Sequence, residues 1–229
     1  MPAQNSLKKN IDRIMEKTLV INEIFFSLQG ESSFSGLPTI FIRLTGCPLR
    51  CQYCDTEYAF HEGNKITIRN ILLEIAKYRT RFVTVTGGEP LAQRGCTDLL
   101  TQLCDDGYIV SLETSGAMAI AMVDERVCKI LDIKTPGSGE VKKNRFDNLR
   151  YLATSDQVKF VICDETDYEW TKTMINDHQL RERCCNILIS PSYDQLQATT
   201  LADWVLRDQL PVRFQIQLHK YLWGNVPGK

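Results

Sequence analysis

Three cysteines stand close together in the segment "CPLRCQYCDT", at positions 47, 51 and 54. Thiolates bind zinc and iron–sulfur clusters. A structural zinc takes four ligands, and His61 follows Cys54 by seven residues, so three thiols and one imidazole form one candidate set. In the other candidate, Cys47, Cys51 and Cys54 hold three irons of a 4Fe–4S cluster and leave the fourth iron without a protein ligand. Such an iron can chelate an amino acid, so the spacing predicts either a structural zinc or a reactive cluster.

A second segment, "TGGEP", carries two successive glycines and a carboxylate. Gly87 and Gly88 let the backbone approach a ligand closely, and Glu89 can accept hydrogen bonds from an ammonium group. The alternative is a plain turn with Pro90 at the first position of a helix. Because the segment follows a predicted strand and accompanies the cysteines, we favour ligand binding.

Short strands and helices must position these segments. We predict strands at 18–31, 39–46, 81–88, 108–116, 128–135, 157–163, 186–192 and 212–220, and helices at 66–78, 91–105, 118–126, 145–152, 167–182 and 195–208. Strands separated by helices imply right-handed crossovers, a parallel sheet and outer helices. About six such units are fewer than the eight of a closed barrel. We therefore predict an α/β fold, a partial and open TIM-like barrel over 18–229, with an N-terminal helical extension over 1–17.

The composition indicates which classes of binding partner and which cellular compartment to expect. Lys and Arg number 27 against 28 Asp and Glu, so the net charge of −1 predicts neither a nucleic acid nor a membrane partner. The chain begins without the apolar run of a secretory signal, and we expect a cytoplasmic protein. Nine cysteines in a reducing compartment favour metal binding over disulfides.

The cysteine spacing, with the aromatic Tyr53 before the third cysteine, resembles the signature of the radical S-adenosylmethionine (SAM) superfamily, and "GGEP" resembles its contact to the methionine end of SAM. The resemblance narrows to the 7-carboxy-7-deazaguanine synthase family over about residues 22–219. The matching segments are "NEIFFSLQGE", "IFIRLTGCP", "CDT", "TGGEP", "LETSG" and "LHKYL".

That resemblance implies a radical SAM carbon–nitrogen lyase of queuosine biosynthesis. Such an enzyme uses a 4Fe–4S cluster, SAM and Mg²⁺ to convert 6-carboxy-5,6,7,8-tetrahydropterin into 7-carboxy-7-deazaguanine with loss of ammonia, and it regenerates SAM. It also implies a small-molecule pterin substrate, a reductase or flavodoxin-type electron donor and a homodimer. Two alternatives remain, namely another radical SAM enzyme, such as an activase of a glycyl radical enzyme, and a zinc-stapled binding module.

The resemblance also assigns roles to residues. Cys47, Cys51 and Cys54 hold the cluster, and Thr56 binds Mg²⁺. Arg43 binds the substrate carboxylate, for which a guanidinium fork is suited. The other residues implied to contact the pterin are Leu28, Gln29, Gly30, Thr86, Glu113 and His219. The residues implied to contact SAM are Tyr53, Cys54, Asp55, Gly87, Gly88, Glu89, Asp132, Ile133, Lys134 and Ser190.

Overall fold

The structure is a computed structural model that describes residues 11–184, 186–224 and 226–228. Residues 11–15 of the expected N-terminal extension are helical, and residues 1–10 lie outside the described part. The strands are β1 (Thr18–Leu28), β2 (Pro38–Leu44), β3 (Asn64–Thr67), β4 (Phe82–Gly87), β5 (Ile109–Thr114), β6 (Cys128–Asp132), β7 (Gln157–Ile162), β8 (Asn186–Pro191) and β9 (Arg213–Phe214). They form one sheet in the order β3-β1-β2-β4-β5-β6-β7-β8-β9.

The sheet is open and mostly parallel. From β2 through β4 to β9 every neighbouring pair is parallel, whereas β1 pairs antiparallel with both β2 and β3. A parallel pair needs a crossover of about a dozen residues or more, and the short connection from β1 to β2 contains no helix, so these two strands run antiparallel. The predicted open, partial barrel is confirmed. The sheet is not wholly parallel, because β1 and β3 form an antiparallel edge.

Helices separate most, but not all, of the parallel strands. They are α1 (Ile68–Ile75), α2 (Cys96–Asp105), α3 (Glu165–Asp177), α4 (Leu180–Arg183), α5 (Ala198–Arg207) and α6 (Leu218–Trp223). In α1 the Thr67 side chain caps the helix by accepting from the Asn70 backbone N–H, and the buried face is the one that its apolar spacing predicts. Within the described residues, no helix has both the length and the apolar character to cross a membrane.

Two hydrophobic cores support the sheet. The first core joins β1, β2, β4 and β5 to α1 and α2, and the second core joins β6, β7 and β8 to α3 and α5. Both cores consist mainly of fully buried Ile, Leu and Val. Since the helices cover these apolar faces, the carboxyl ends of the strands remain available to form a site.

Two predicted elements are wrong. The segment 118–126 is not helical, because Asn148 pairs with its backbone, accepting from the Ile120 N–H (3.2 Å) and donating to the Met118 carbonyl (2.8 Å). The predicted strand 212–220 contains only the two residues of β9, and its end is the helix α6. There the Leu218 N–H donates to the Gly30 carbonyl (3.0 Å), a tertiary contact that draws the chain away from the sheet.

Candidate active site

A cavity of about 710 Å³ opens at the carboxyl ends of the parallel strands. The ends of β2, β4, β5 and β6 each contribute to its wall, together with the cysteine loop and the residues around α6. Most of the predicted site residues line it, namely Leu28, Gln29, Gly30, Arg43, Cys47, Cys51, Tyr53, Cys54, Asp55, Thr56, Thr86, Gly87, Gly88, Glu113, Asp132, Lys134 and His219. The fold therefore brings together segments that are far apart in sequence.

Three predicted residues, Glu89, Ile133 and Ser190, do not line the cavity. Ile133 belongs to the second core, because successive side chains of an extended segment alternate between faces and its two neighbours face the cavity. Ser190 is buried within β8.

Glu89 is fully buried, and its carboxylate binds protein groups. It accepts hydrogen bonds from the Thr114 hydroxyl (2.9 Å), the Ser115 N–H (2.8 Å) and the Leu91 N–H (3.0 Å). A buried carboxylate needs such donors. Glu89 therefore fixes the glycine turn to the end of β5, which differs from the predicted contact with a SAM ammonium group.

The cysteine loop and the glycine turn are in close contact. The Glu89 N–H donates to the Gly46 carbonyl (2.8 Å), and a Cβ on Gly88 would collide with that same carbonyl. Burial raises the pKa of the Cys47, Cys51 and Cys54 thiols, to about 11 for Cys51, and the Lys134 ammonium acts in the opposite direction on all three. Lys134 is thus the cation that favours their thiolate forms.

The donor set fits a cluster better than a single zinc ion. Within the described residues, no three His, Cys, Asp or Glu side chains converge closely enough to hold one metal ion, and His61 does not line the cavity. A 4Fe–4S cluster does not need such convergence, because each thiolate binds a different iron. The three cysteines and His61, the alternative zinc ligands, are therefore not brought together around one point.

Polar atoms beside the cysteine loop fit a nucleoside. The Tyr53 hydroxyl and Asp132 Oδ1 are buried and have no hydrogen-bond partner among the described residues, although both side chains line the cavity. Lys134 Nζ lies 3.0 Å from Asp132 Oδ2 and 5.7 Å from the centre of the Tyr53 ring. Unpartnered buried atoms are rare in proteins, so these two suit a polar ligand such as the adenosine part of SAM.

A second polar group lies around Glu113. Its two carboxylate oxygens accept from Gln29 Nε2 (3.1 Å) and from the Thr86 hydroxyl (2.9 Å). Burial and the nearby Glu31 raise the pKa of Glu113, whereas burial lowers the pKa of His219. A Cβ on Gly30 would collide with the His219 ring, so glycine lets α6 approach this turn. Amide, carboxylate and neutral imidazole groups can pair with the edge of a flat heterocycle.

Arg43 and Thr56 each have a carboxylate partner. Arg43 Nε lies 2.7 Å from Glu23 Oε1, which also accepts from the Tyr58 hydroxyl (2.8 Å). The Thr56 hydroxyl donates to Asp55 Oδ1 (2.8 Å) and keeps its own lone pairs for a cation. Both side chains line the cavity, as an anion-binding and a cation-binding group would need to.

The polar residues of the cavity that sequence reasoning missed include Glu31, Lys159, Gln217 and Lys220. Lys159 forms an ion pair with Glu31, and Gln217 Nε2 donates to the other Glu31 oxygen (2.9 Å). Lys220 Nζ lies 3.0 Å from Asp55 Oδ2. Glu31 and Lys220 lie within the segments "NEIFFSLQGE" and "LHKYL" that match the family, so they could have been considered. Lys159 and Gln217 lie in no such segment, and the neighbouring sequence does not indicate a role for them.

Known proteins resemble this chain in sequence and in fold. The model of the radical SAM superfamily matches residues 41–134. The chain is 46% identical over 213 residues to a 7-carboxy-7-deazaguanine synthase of Chlorobaculum tepidum, covering 91% of this chain and 96% of that one. It is 42% identical to a 7-carboxy-7-deazaguanine synthase of Koribacter versatilis, covering 89% and 96%. The fold is similar to the crystal structure of QueE from Escherichia coli, with a TM-score of 0.76, 23% identity and coverage of 92% and 99%.

The open sheet, the cysteine loop and these matches define a radical SAM enzyme, and that class implies a 4Fe–4S cluster and SAM as cofactors. Within it, the chain belongs to the 7-carboxy-7-deazaguanine synthase family. The expectation of a radical SAM lyase is confirmed.

Proposed function

We propose that this protein converts 6-carboxy-5,6,7,8-tetrahydropterin into 7-carboxy-7-deazaguanine with loss of ammonia. One observation carries the proposal: a single cavity holds both the three thiols and the polar group around Glu113. Its volume of about 710 Å³ is within the range of pockets that enclose a small molecule. A cofactor and a flat substrate would therefore meet in one cavity.

The cysteine side of the cavity binds the cofactors in this proposal. Cys47, Cys51 and Cys54 hold the cluster, which together with bound SAM supplies a one-electron cleavage and a carbon radical that can take a hydrogen atom from the substrate. Lys134 offsets the negative charge of the thiolates, and Tyr53 packs against the nucleoside. The protein's own contribution is to hold the reactants and exclude water.

The opposite wall binds the pterin. Gln29 and Glu113 pair with the amide-like edge of the ring, and His219 closes the site from α6. Arg43 receives the substrate carboxylate, because its planar fork matches two carboxylate oxygens. Its existing partner Glu23 orients the guanidinium for this task.

Magnesium, the electron donor and the assembly are finer parts of the same proposal. Mg²⁺ prefers oxygen ligands and keeps several waters, so the Thr56 hydroxyl with Asp55 nearby and substrate oxygens suffices. We further propose a reductase or flavodoxin-type electron donor, a homodimer, a cytoplasmic location and a catalytic domain over 18–229 that follows an N-terminal extension over 1–17.

The test is an anaerobic turnover assay. Protein reconstituted with iron and sulfide is mixed with SAM, Mg²⁺, a chemical reductant and the carboxylated pterin, and the deazaguanine and ammonia are quantified. We expect one ammonia for each product, and none with a pterin that lacks the carboxylate. Reductive SAM cleavage without product under these conditions would instead favour another radical SAM activity, such as that of an activase that needs a protein partner.

A further inference from the structure

Lys159 is a buried cation for which the proposed chemistry has no task. Its side chain extends from β7 into the cavity and is 13% exposed. A buried ammonium is costly unless carboxylates compensate it. The identity of its partners therefore indicates what it does.

Those partners come from the two sides of the cavity. Lys159 Nζ forms an ion pair with Glu31, in the turn that also contains Gln29, and lies 4.0 Å from Asp132 Oδ2, beside Tyr53 and Lys134. Burial lowers the pKa of Lys159, but Glu31 and Asp132 more than compensate, and the net pKa is raised. The lysine therefore carries its charge and bridges the two carboxylates.

The bridge spans the concave side of the sheet. Asp132 is the register neighbour of Lys159, and the Ile133 N–H donates to the Lys159 carbonyl (2.9 Å). Glu31, in contrast, follows β1, which is separated from β7 by β2, β4, β5 and β6 in the sheet order. In an open sheet no hydrogen-bonded ladder joins these distant strands directly. Side chains connect them instead, Lys159 with Glu31 and Gln157 of β7 with the Ser33 N–H (2.8 Å).

Glu31 is held from a second direction as well. Gln217 Nε2 donates to its Oε1 (2.9 Å), and Glu31 is 14% exposed. Burial alone would raise the pKa of Glu31, yet Lys159 and His219 lower it overall, so this carboxylate is ionised at neutral pH. An ionised, doubly held carboxylate has little freedom to move unless the lysine is removed.

We propose that Lys159 is a positioning residue that fixes the distance between the pterin-binding turn at Gln29 and the nucleoside-binding strand end at Asp132. This inference rests on the proposed function. For the proposed reaction the pterin would have to lie beside the 5′ carbon of the bound nucleoside. A misplacement of about 1 Å can cost about 100-fold in rate. Without the lysine, SAM is cleaved more often without conversion of the pterin.

The experiment compares Lys159→Met with Lys129→Met. Lys129 is a matched control, because it is also a buried lysine whose Nζ lies 3.0 Å from a buried carboxylate, that of Asp156, and it does not line the cavity. Both variants lose a buried ion pair. In reconstituted protein with reductant, Lys159→Met is expected to lose about 100-fold in kcat and to release at least about ten times more 5′-deoxyadenosine for each product, whereas Lys129→Met keeps the wild-type ratio.

A binding measurement without reductant supplies a second readout. In wild-type protein we expect SAM to tighten pterin binding, measured by calorimetry. Lys159→Met is expected to reduce that coupling about tenfold, whereas Lys129→Met is expected to retain it. If Lys159→Met does not fold, Lys159→Gln, which keeps a hydrogen-bond donor without the charge, takes its place. The inference is overturned if the wild type turns over and both lysine variants give equal release ratios and equal coupling. A wild type that yields no deazaguanine contradicts the proposed function instead.

Discussion

The two halves of the sheet supply the cavity with different kinds of group. The first half, β1 to β5, supplies two segments in which the backbone and small residues matter, namely the cysteine loop and the glycine turn that packs on it, besides the polar side chains of Gln29, Glu31, Arg43 and Glu113. The second half, β6 to β9 with α6, supplies long charged or polar side chains, which are Asp132, Lys134, Lys159, Gln217, His219 and Lys220. Each half has its own hydrophobic core.

This difference suggests a division of labour. Loops that depend on spacing and glycine can hold an inorganic cluster, because its ligands must come from one short segment. Long side chains reach across the cavity and adjust the distance between two ligands. We therefore expect changes in the cysteine loop and the glycine turn to abolish cofactor binding, and changes in the long side chains of the second half to weaken the alignment of the reactants.

The largest effect is expected for Cys51→Ala in the first half. Removing one of three cluster ligands leaves the cluster with two, so iron and sulfide content after reconstitution should fall and turnover should become undetectable. The control is Cys163→Ala in the second half. Cys163 lies outside the cysteine loop and does not line the cavity, so it is not a candidate cluster ligand. An equal loss of iron in both variants would contradict the division between the halves.

The same division explains what the sequence could predict. Cys47, Cys51 and Cys54 lie within eight residues, and their spacing alone indicated a cluster or zinc. The contact of Lys159 with Glu31 joins residues 128 positions apart, and that of Gln217 with Glu31 joins residues 186 apart. No local sequence pattern predicts such pairs, because they form only when the curvature of the sheet brings distant strands close together.

Alternation within the second half could have improved one assignment. Asp132 and Lys134 face the cavity, so the residue between them had to face the core. The strand predicted over 212–220 failed for the opposite reason. The segment does alternate between apolar and polar residues. However, β8 pairs with only Arg213 and Phe214, and the chain then turns away so that α6 contacts the turn at Gly30.

A smaller effect is expected for Arg43→Lys in the first half. Lysine keeps the positive charge but lacks the planar guanidinium that forms two hydrogen bonds to a carboxylate. Because a hydrogen bond to a charged group contributes about 1.5–3 kcal/mol, KM for the pterin should rise about 10- to 100-fold. The control is Arg126→Lys, an exposed arginine that lies 2.8 Å from Asp105 and 2.7 Å from Asp124, outside the cavity. Steady-state kinetics with varied pterin test this, and an unchanged KM in Arg43→Lys would remove Arg43 from the substrate site.

The smallest effect is expected for Lys220→Met in the second half. Lys220 Nζ lies 3.0 Å from Asp55 Oδ2 and 4.9 Å from the centre of the Tyr193 ring. The Asp55 side chain is 38% exposed, so solvent screens the pair and its loss should cost only about 1 kcal/mol in the free energy of unfolding. Lys172→Met is the control, because Lys172 also pairs with an aspartate, Asp208 (2.7 Å), and lies 5.3 Å from a tyrosine ring, yet it is remote from the cavity.

The pH dependence shows whether the Asp55 pair accounts for that loss. Burial raises the pKa of Asp55, but Lys220, together with Thr56 and Lys159, outweighs burial, and the net pKa is lowered. A carboxylate with a lowered folded-state pKa contributes stability above its unfolded pKa of about 4, and that stability is lost as pH falls through the folded value. The difference in unfolding free energy between wild type and Lys220→Met, measured in urea, should therefore be full at pH 7 and shrink below about pH 4. A constant difference would mean that Lys220 stabilises the fold through packing against Tyr193 rather than through its ion pair with Asp55.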